Sequence, residues 1–183
     1  FEGIEATVDL RPGGGEVVVP EQRHLLLQRT LTVDHAEQPT LPRVVDALIE
    51  NGLRERVRVI AAGKLVTSAR AAWALSAGAD FVNTARGFMF ALGCIQALRC
   101  HANTCPAGVT THNPRLQRGL VVADKAQRVA NYCRNMNKEI DMIAHACGLR
   151  QAREFRREHV RIVQGFGQSI ALNMLYPYPA APA

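Results

Sequence analysis

The chain has 183 residues, 48% of them hydrophobic, which is enough for the core of one domain or of one large piece of a bigger domain. Aromatic residues make up only 5%, too few for a nucleic-acid surface built on base stacking, and no stretch approaches the roughly 20 apolar residues that span a membrane. The net charge of +6 comes mostly from arginines spread along the sequence, which is typical of a solvated face, with phosphate or partner contacts as the alternative.

Residues 1–39 carry no motif that assigns a function. Val17 to Val19 could form a short strand after the glycine run at 13–15, which lacks the context of a phosphate-binding loop. The first residues lack an initiator Met and the features of a signal peptide, so we expect a fragment or a processed product. Five cysteines in a chain without an export signal indicate a reducing, cytoplasmic compartment, where clustered cysteines are more often metal ligands than disulfides.

Helices and short strands alternate from residue 40 onward. The predicted elements are a helix over 41–51 capped by Thr40 and ended by Gly52, a strand over 56–62, a helix over 69–77 capped by Ser68 and ended by Gly78, a strand over 80–84 and a helix over 88–98. Such alternation predicts an α/β fold with parallel strands joined by helical crossovers. Two such units are too few to close a barrel or to bury both faces of a sheet.

The remainder of the chain is predicted to be helical or irregular. Residues 106–123 have the proline and glycine content of an ordered loop, 124–147 form a long amphipathic helix, and 150–163 form a short, arginine-rich helix. Cys133 and Cys147 fall on the apolar stripe of the long helix, where they are expected to be buried as small hydrophobic side chains. We expect residues 164–183 to be an extended or disordered tail.

Cys94, Cys100 and Cys105 lie within 12 residues, where a predicted helix gives way to a loop. Closely spaced thiolates are the usual ligands of iron–sulfur clusters. Two other interpretations remain open at this point. The cysteines could be ordinary free thiols on a core helix, or they could bind zinc with His101 as a fourth ligand, although a ligand directly after Cys100 gives poor tetrahedral geometry.

The same segment carries a family resemblance. The matching strings are AAGKLVT at 61–67, AGAD at 77–80, ARGFMFALGCIQ at 85–96, CHANTCPAGV at 100–109, Arg118, and DKAQRVAN at 124–131. Together they resemble the FMN-binding domain of glutamate synthase, from about residue 40 to about residue 160. The resemblance implies the C-terminal portion of a (β/α)8 TIM-type barrel, with C-terminal helices, over residues 40–163.

The resemblance also implies an activity and cofactors. The family is an oxidoreductase that makes L-glutamate from 2-oxoglutarate and ammonia, the ammonia coming from glutamine. FMN holds the electrons, and a three-iron, four-sulfur (3Fe-4S) cluster lies beside it. Cys94, Cys100 and Cys105 match the cluster ligands. An amidotransferase domain, an electron-donor subunit and the other half of the barrel are the implied partners, with neither nucleic acid nor membrane among them.

The strand-to-helix loops are where a barrel binds a flavin phosphate. Here these loops hold Gly63 with Lys64, and Ala85 with Arg86 and Gly87. The glycines would let the backbone approach a phosphate, the following helix N-termini offer free amides, and the two basic side chains could add charge. Simple turn geometry is the alternative explanation of the glycines.

The sequence also departs from the family pattern. A Glu-Gly-Gly-Thr-Gly loop, expected shortly upstream, is absent, residues 1–39 do not match, and His112 stands where Gln is expected. We therefore expect an incomplete barrel in which Val59 and Phe81 face the missing half. A non-catalytic iron–sulfur module for electron transfer or assembly, and a structural zinc domain, are the alternative functions.

Overall fold

The computed structural model describes residues 29–33 and 40–180; the strand predicted at residues 17–19 lies outside this range. The strands are β1 (Arg29–Val33), β2 (Val57–Ala61), β3 (Phe81–Val82), β4 (Arg161–Val163) and β5 (Ser169–Ala171). The helices are α1 (Thr40–Glu50), α2 (Ser68–Ser76), α3 (Ala85–Leu92), α4 (Pro114–Gln117), α5 (Val122–Ala146) and α6 (Leu172–Leu175). No helix in residues 40–180 is long and apolar enough to cross a membrane.

A parallel sheet in the order β1-β2-β3 confirms the predicted α/β arrangement. One face of β2 is covered, since Val57, Val59 and Ala61 belong to the core that α1 and α2 form above it. On the opposite face, Ile60 pairs with Phe81, which is 49% exposed. The expectation that Val59 faces a missing half is therefore wrong, because alternate residues of a strand point to opposite faces.

The first two helices lie where periodicity predicts them. In α1, Leu41, Val44, Val45 and Leu48 are buried. The cap predicted for α2 is wrong by one residue: the Thr67 hydroxyl accepts from the backbone N–H of Arg70 at 3.4 Å, and Ser68 is the first helical residue. The Ser68 hydroxyl instead donates to Glu139 on α5 at 2.6 Å, so it ties two helices together.

The third and fifth helices differ from prediction in their limits and exposed faces. Helix α3 ends at Gly93 in the left-handed region, not at residue 98. Helix α5 packs against α2 through Met136, Ile140 and Ala144. Cys133 and Cys147 are exposed, so their predicted burial is wrong. The buried stripe of α5 is narrower than the apolar pattern suggests.

The C-terminal segment is more ordered than its composition suggests. The helix predicted over 150–163 is wrong: 3-10 turns at Ala152–Glu154 and Arg157–His159 lead into β4. Strand β4 pairs antiparallel with β5, and Leu172 of α6 is 1% exposed within the core of α1 and β2. An extended or disordered tail over 164–183 is therefore wrong for residues 165–175, because this apolar anchor holds the segment against the core.

Candidate cofactor loops and cysteine segment

The two predicted phosphate loops lie at the same edge of the sheet. Strands β2 and β3 run parallel, with Ala61 paired to Val82, and the Asn83 N–H donates to the Ala61 carbonyl at 2.8 Å. Gly63 and Lys64 follow β2, and residues 85–87 follow β3. The structure thus brings the five predicted flavin-binding residues to the carboxyl ends of neighbouring strands, where α/β proteins commonly bind ligands.

The turn after β2 has an unusual backbone. Gly63 and Lys64 both lie in the left-handed region, with φ of 95° and 50°. Such a conformation is uncommon for a residue with a side chain. The Lys64 carbonyl accepts from Val66 N–H at 2.9 Å and from Arg70 Nη1 at 3.1 Å, and the next residue, Leu65, is buried. These contacts hold the turn in one shape.

The N-terminus of α3 carries an unsatisfied hydroxyl. Thr84 is the N-cap, yet its side chain makes no capping hydrogen bond, and Thr84 Oγ1 is buried without a partner in the described part of the chain. First-turn N–H groups of a helix have no partner within the helix, and the positive end of the helix dipole favours anions. The Ala85 N–H already donates to Asn83 Oδ1 at 3.2 Å and the Gly87 N–H to the Thr84 carbonyl at 2.7 Å. A buried hydroxyl beside the remaining amide, that of Arg86, suits a phosphate, so the residues present fit the flavin phosphate.

Gly87 has a packing reason to be a glycine, besides the predicted approach of the backbone to a phosphate. It is buried, and a Cβ at this position would collide with the hydroxyl of Tyr132 on α5 and would lie 2.5 Å from the adjacent ring carbon. The absence of a side chain therefore makes room for a tyrosine. This packing explains the glycine without any phosphate contact, whereas the Gly63 turn depends on its positive φ.

The three predicted cluster ligands occupy different surroundings. Cys94 is half-buried just after α3, Cys100 is exposed in the 3-10 turn Cys100–Ala102, and Cys105 is buried. Within the described residues, no three His, Cys, Asp or Glu side chains lie close enough to hold one metal ion. The donor chemistry fits an iron–sulfur cluster, but the three thiols are not gathered into a preformed site.

Cys105 is the thiol best prepared to act as an anionic ligand. Backbone N–H donation, first from Thr110 and then from Val109 and Ala107, outweighs burial and lowers the pKa of Cys105 to about 7. The Thr110 side chain also contributes to the lowered pKa, although its buried oxygen makes no well-formed hydrogen bond in the described chain. Amides directed at a ligand sulfur are a typical means of tuning iron–sulfur centres.

The loop around Cys105 is fixed by its own hydrogen bonds. The Thr111 hydroxyl donates to the Asn103 carbonyl at 2.7 Å, and the Asn103 side chain accepts from the His112 N–H at 2.6 Å. Gly108 is buried at φ +76°, where a Cβ would lie 2.5 Å from the Leu116 carbonyl oxygen. His112, the departure from the family pattern, is exposed, and its backbone N–H makes this bond.

Basic side chains approach the start of the cysteine segment from α5. Lys125, with its side chain 14% exposed, places Nζ beside Gly93, and Arg128 lies slightly farther from the same glycine. Lys125 also pairs with Asp124 at 3.4 Å. Positive charge near Cys94 suits a cluster that carries thiolate ligands, because opposite charges favour the anionic form.

Three residues of this region were not singled out from the sequence as site residues: Thr84, Thr110 and Tyr132. Tyr132 is recognisable only as one member of the apolar stripe of α5. Thr84 falls at the end of a predicted strand, and nothing in its local pattern signals an unused hydroxyl. The backbone loops are therefore predictable from the sequence, whereas the polar groups that support them are identified only in the tertiary structure.

Comparisons with known proteins agree with the residue-level resemblance. A family model described as the conserved region in glutamate synthase matches residues 29–150. The chain is 48% identical over 118 residues to the glutamate synthase large subunit-like protein YerD of Bacillus subtilis, which covers 64% of this chain and 22% of the relative. It is 31% identical over 157 residues to the archaeal-type glutamate synthase (NADPH) of Thermotoga maritima, which covers 84% of this chain and 31% of that protein.

A further relative is the archaeal glutamate synthase (NADPH) of Methanocaldococcus jannaschii, 33% identical over 132 residues that cover 70% of this chain and 26% of the relative. In each of these three comparisons the matched stretch spans less than a third of the relative's length.

Proposed function

The chain belongs to the glutamate synthase family, and from that premise we propose that it is the part of an FMN- and iron–sulfur-dependent oxidoreductase that binds the flavin phosphate and a 3Fe-4S cluster. The reaction is the formation of L-glutamate from 2-oxoglutarate and ammonia or glutamine. The matched stretch spans less than a third of each of these relatives, and in this proposal the remaining barrel strands, the ammonia source and the electron donor lie outside that stretch. We place this chemistry in the cytoplasm, in accordance with the use of cysteine.

The observation that best supports this proposal is the environment of Cys105, which lies in the region that matches the family model. A buried sulfur that accepts backbone N–H groups and has a pKa of about 7 is largely a thiolate under mildly alkaline conditions. A buried thiolate is stable when it has an electrophilic partner. Cys94 and Cys100 supply two further thiols in the same segment, and cluster binding would draw the three together.

The chain's own residues have distinct tasks in this proposal. FMN supplies two-electron chemistry and the cluster supplies one-electron transfer. Thr84 Oγ1 and the Arg86 amide would hold the flavin phosphate, with the Gly63–Lys64 turn after the neighbouring strand; the Ala85 N–H would join them only by leaving Asn83 Oδ1, to which it donates at 3.2 Å. The amides around Cys105 stabilise the ligand in its anionic form.

The barrel portion of the proposal is supported by the sheet. Parallel strands with helices over one face and an open opposite face are what a segment of a (β/α)8 barrel presents before closure. Phe81 lies on that open face.

Iron and sulfide analysis of the anaerobically purified and reconstituted chain tests the cluster. We expect bound iron and acid-labile sulfide with a broad visible absorbance, lost in Cys105→Ser and retained in Cys133→Ser, because Cys133 lies on α5, outside the segment that holds the three predicted ligands. Less than about one iron per chain after reconstitution would contradict cluster binding. Zinc in place of iron would support the structural alternative.

A separate test addresses the flavin. Thr84→Val keeps the shape of the side chain and removes the buried hydroxyl. We expect weaker FMN binding with unchanged or slightly higher thermal stability, since an unpartnered buried polar group is itself costly. Lys64→Ala should have the smaller effect on FMN affinity. Equal affinity of Thr84→Val and the wild-type chain would remove Thr84 from the site.

A further inference from the structure

Tyr132 on α5 contacts both candidate phosphate loops. Its hydroxyl donates to the Val66 carbonyl at 3.1 Å, across 66 residues of sequence. Its ring tip occupies the space that a side chain at Gly87 would need. The same ring packs edge-on against Phe88, with ring centroids 5.2 Å apart. One side chain thus touches the segment after β2 and the first turn of α3.

The sheet joins these two loops over only a short stretch of paired strand. Strand β3 has only two residues, so β2 and β3 share two register pairs. Val66, in contrast, is joined directly to the Lys64 turn by the hydrogen bond from its N–H to the Lys64 carbonyl at 2.9 Å. A contact at Val66 is therefore transmitted to the Gly63–Lys64 backbone, and a contact at Gly87 fixes the start of α3.

We propose that Tyr132 is a positioning residue that sets the spacing between the Gly63–Lys64 turn and the N-terminus of α3. The phosphate of FMN binds between these two loops, a statement that rests on the proposed function. The coupling of the loops through Tyr132 rests only on the contacts above. Tyr132 does not itself touch the phosphate: its hydroxyl is engaged with Val66, and its ring is packed on Gly87 and Phe88.

The packing of α5 against α2 does not explain why residue 132 is a tyrosine. The helix is already held by Met136, Ile140 and Ala144, all buried against α2. A leucine or phenylalanine would fill apolar space equally well. The hydroxyl adds a bond to a loop carbonyl, and Gly87 leaves room for it.

The test compares Tyr132→Phe with Ile140→Val in the intact chain. The first removes only the hydroxyl. The second, the control, removes one methyl group from the buried face of the same helix, about two turns further along. Amide chemical shifts are measured without FMN. We expect Tyr132→Phe to shift the amide resonances of both Lys64 and Arg86, whereas Ile140→Val should leave both resonances unchanged. Movement confined to Val66 would overturn the coupling.

FMN affinity is then measured well below the melting temperature of both variants. We expect roughly 3- to 10-fold weaker binding in Tyr132→Phe, the effect of one lost hydrogen bond, and wild-type affinity in Ile140→Val. Equal affinities in the wild-type chain and Tyr132→Phe would overturn the positioning role. If the wild-type chain binds no FMN but the two loops still shift together, the proposed function fails for this chain and the coupling stands.

A double substitution provides a second, independent measurement. Gly87→Ala should lower the melting temperature strongly in the wild-type background, because the new methyl group meets the Tyr132 ring. In a Tyr132→Leu background the same change should cost much less. An equal cost in both backgrounds would show that Gly87 and Tyr132 do not depend on each other, which would overturn the proposed contact.

Discussion

The guanidinium of Arg157 donates to both carboxylate oxygens of Asp46, at 2.5 Å and 3.3 Å, although the two residues are 111 positions apart. Arg157 is completely buried. It also donates to the carbonyls of Tyr176 at 2.8 Å and Pro42 at 3.2 Å, and it stacks on the ring of Tyr178 at 4.4 Å. A single buried cation therefore joins α1 to the C-terminal segment.

Asp46→Ala should destabilise the chain by about 3 kcal/mol, because it leaves a buried guanidinium without its counter-charge. Urea unfolding measures the change. Glu50→Ala, an exposed acidic residue of the same helix, is the control and should change stability by less than about 0.5 kcal/mol. In Asp46→Ala/Arg157→Met the loss should be smaller than the sum of the single losses; strict additivity would show that the pair is not coupled.

Asp80 should make stability depend on acid pH. Burial raises the pKa of Asp80, but the hydrogen bond from Arg54, the Val59 N–H at 2.7 Å and the charges of Arg54 and Arg58 outweigh it, so the pKa lies below 3.8. This carboxylate stabilises the fold fully above the ordinary pKa, and its contribution is lost as pH falls through the lower native pKa. Asp80→Asn should remove that part of the acid dependence. Urea midpoints that fall identically in both proteins would contradict the assignment.

Cys105 should make stability depend on alkaline pH. Its native pKa of about 7 lies below the ordinary 9.0, chiefly because of the Thr110 N–H. Ionisation therefore favours the folded state, and stability in the metal-free chain should rise from about pH 7 to about pH 9. Cys105→Ala should lack this rise. Thiolate absorbance, followed in a chain whose other cysteines are replaced by serine, should titrate near pH 7; a midpoint near 9 would exclude the amide-stabilised thiolate.

Gly108 and Gly148 form a matched pair for testing the cysteine loop. Both have positive φ, +76° and +79°, but a Cβ at Gly108 meets the Leu116 carbonyl whereas one at Gly148 meets nothing within 4 Å. Gly148→Ala should cost about 1–2 kcal/mol for the left-handed conformation alone. Gly108→Ala should cost clearly more and should also disturb the pKa of Cys105. Equal melting temperatures for the two variants would contradict the crowding at Leu116.

The open face of the sheet should cause self-association of the isolated chain. Phe81 is exposed beside Ile60 on this face, and exposed apolar sheet surface attracts further partners. Phe81→Ser should shift sedimentation toward the monomer at equal concentration. Met142→Ser, which removes another exposed apolar side chain from α5, should have little effect. A wild-type chain that sediments as a 20.0 kDa monomer would refute the prediction.

Local pattern predicted the elements whose apolar residues repeat with a clear period. Helix α1 and strand β2 are examples, because their buried residues alternate or recur as the period requires. The start of α3 was misplaced because Ala85 to Gly87 have no apolar periodicity, and the helix begins there only because β3 ends at Val82. Propensity could not predict the segment after Gly148, where short 3-10 turns are held by long-range contacts.

The site was predictable in its loops and thiols but not in its supporting contacts. Gly87 has the composition of a phosphate loop, yet its neighbour is Tyr132, from 45 positions later in the sequence. A buried arginine such as Arg157 gives no signal in sequence, because most arginines are exposed. Its role depends on Asp46 and on carbonyl groups that only the folded chain brings together.

The contact between Arg157 and Asp46 also shows that the end of the family match is not the end of the segment that stabilises α1. The match to the family model ends at residue 150. The contacts that hold α1 extend further, since Asp46 pairs with Arg157 and the α1 core includes Leu172, both outside that match. A protein cut after residue 150 would leave Asp46 without its partner and the α1 core uncovered at Leu172. If residues 29–150 were fused into another enzyme, residues 151–180 would therefore have to be included.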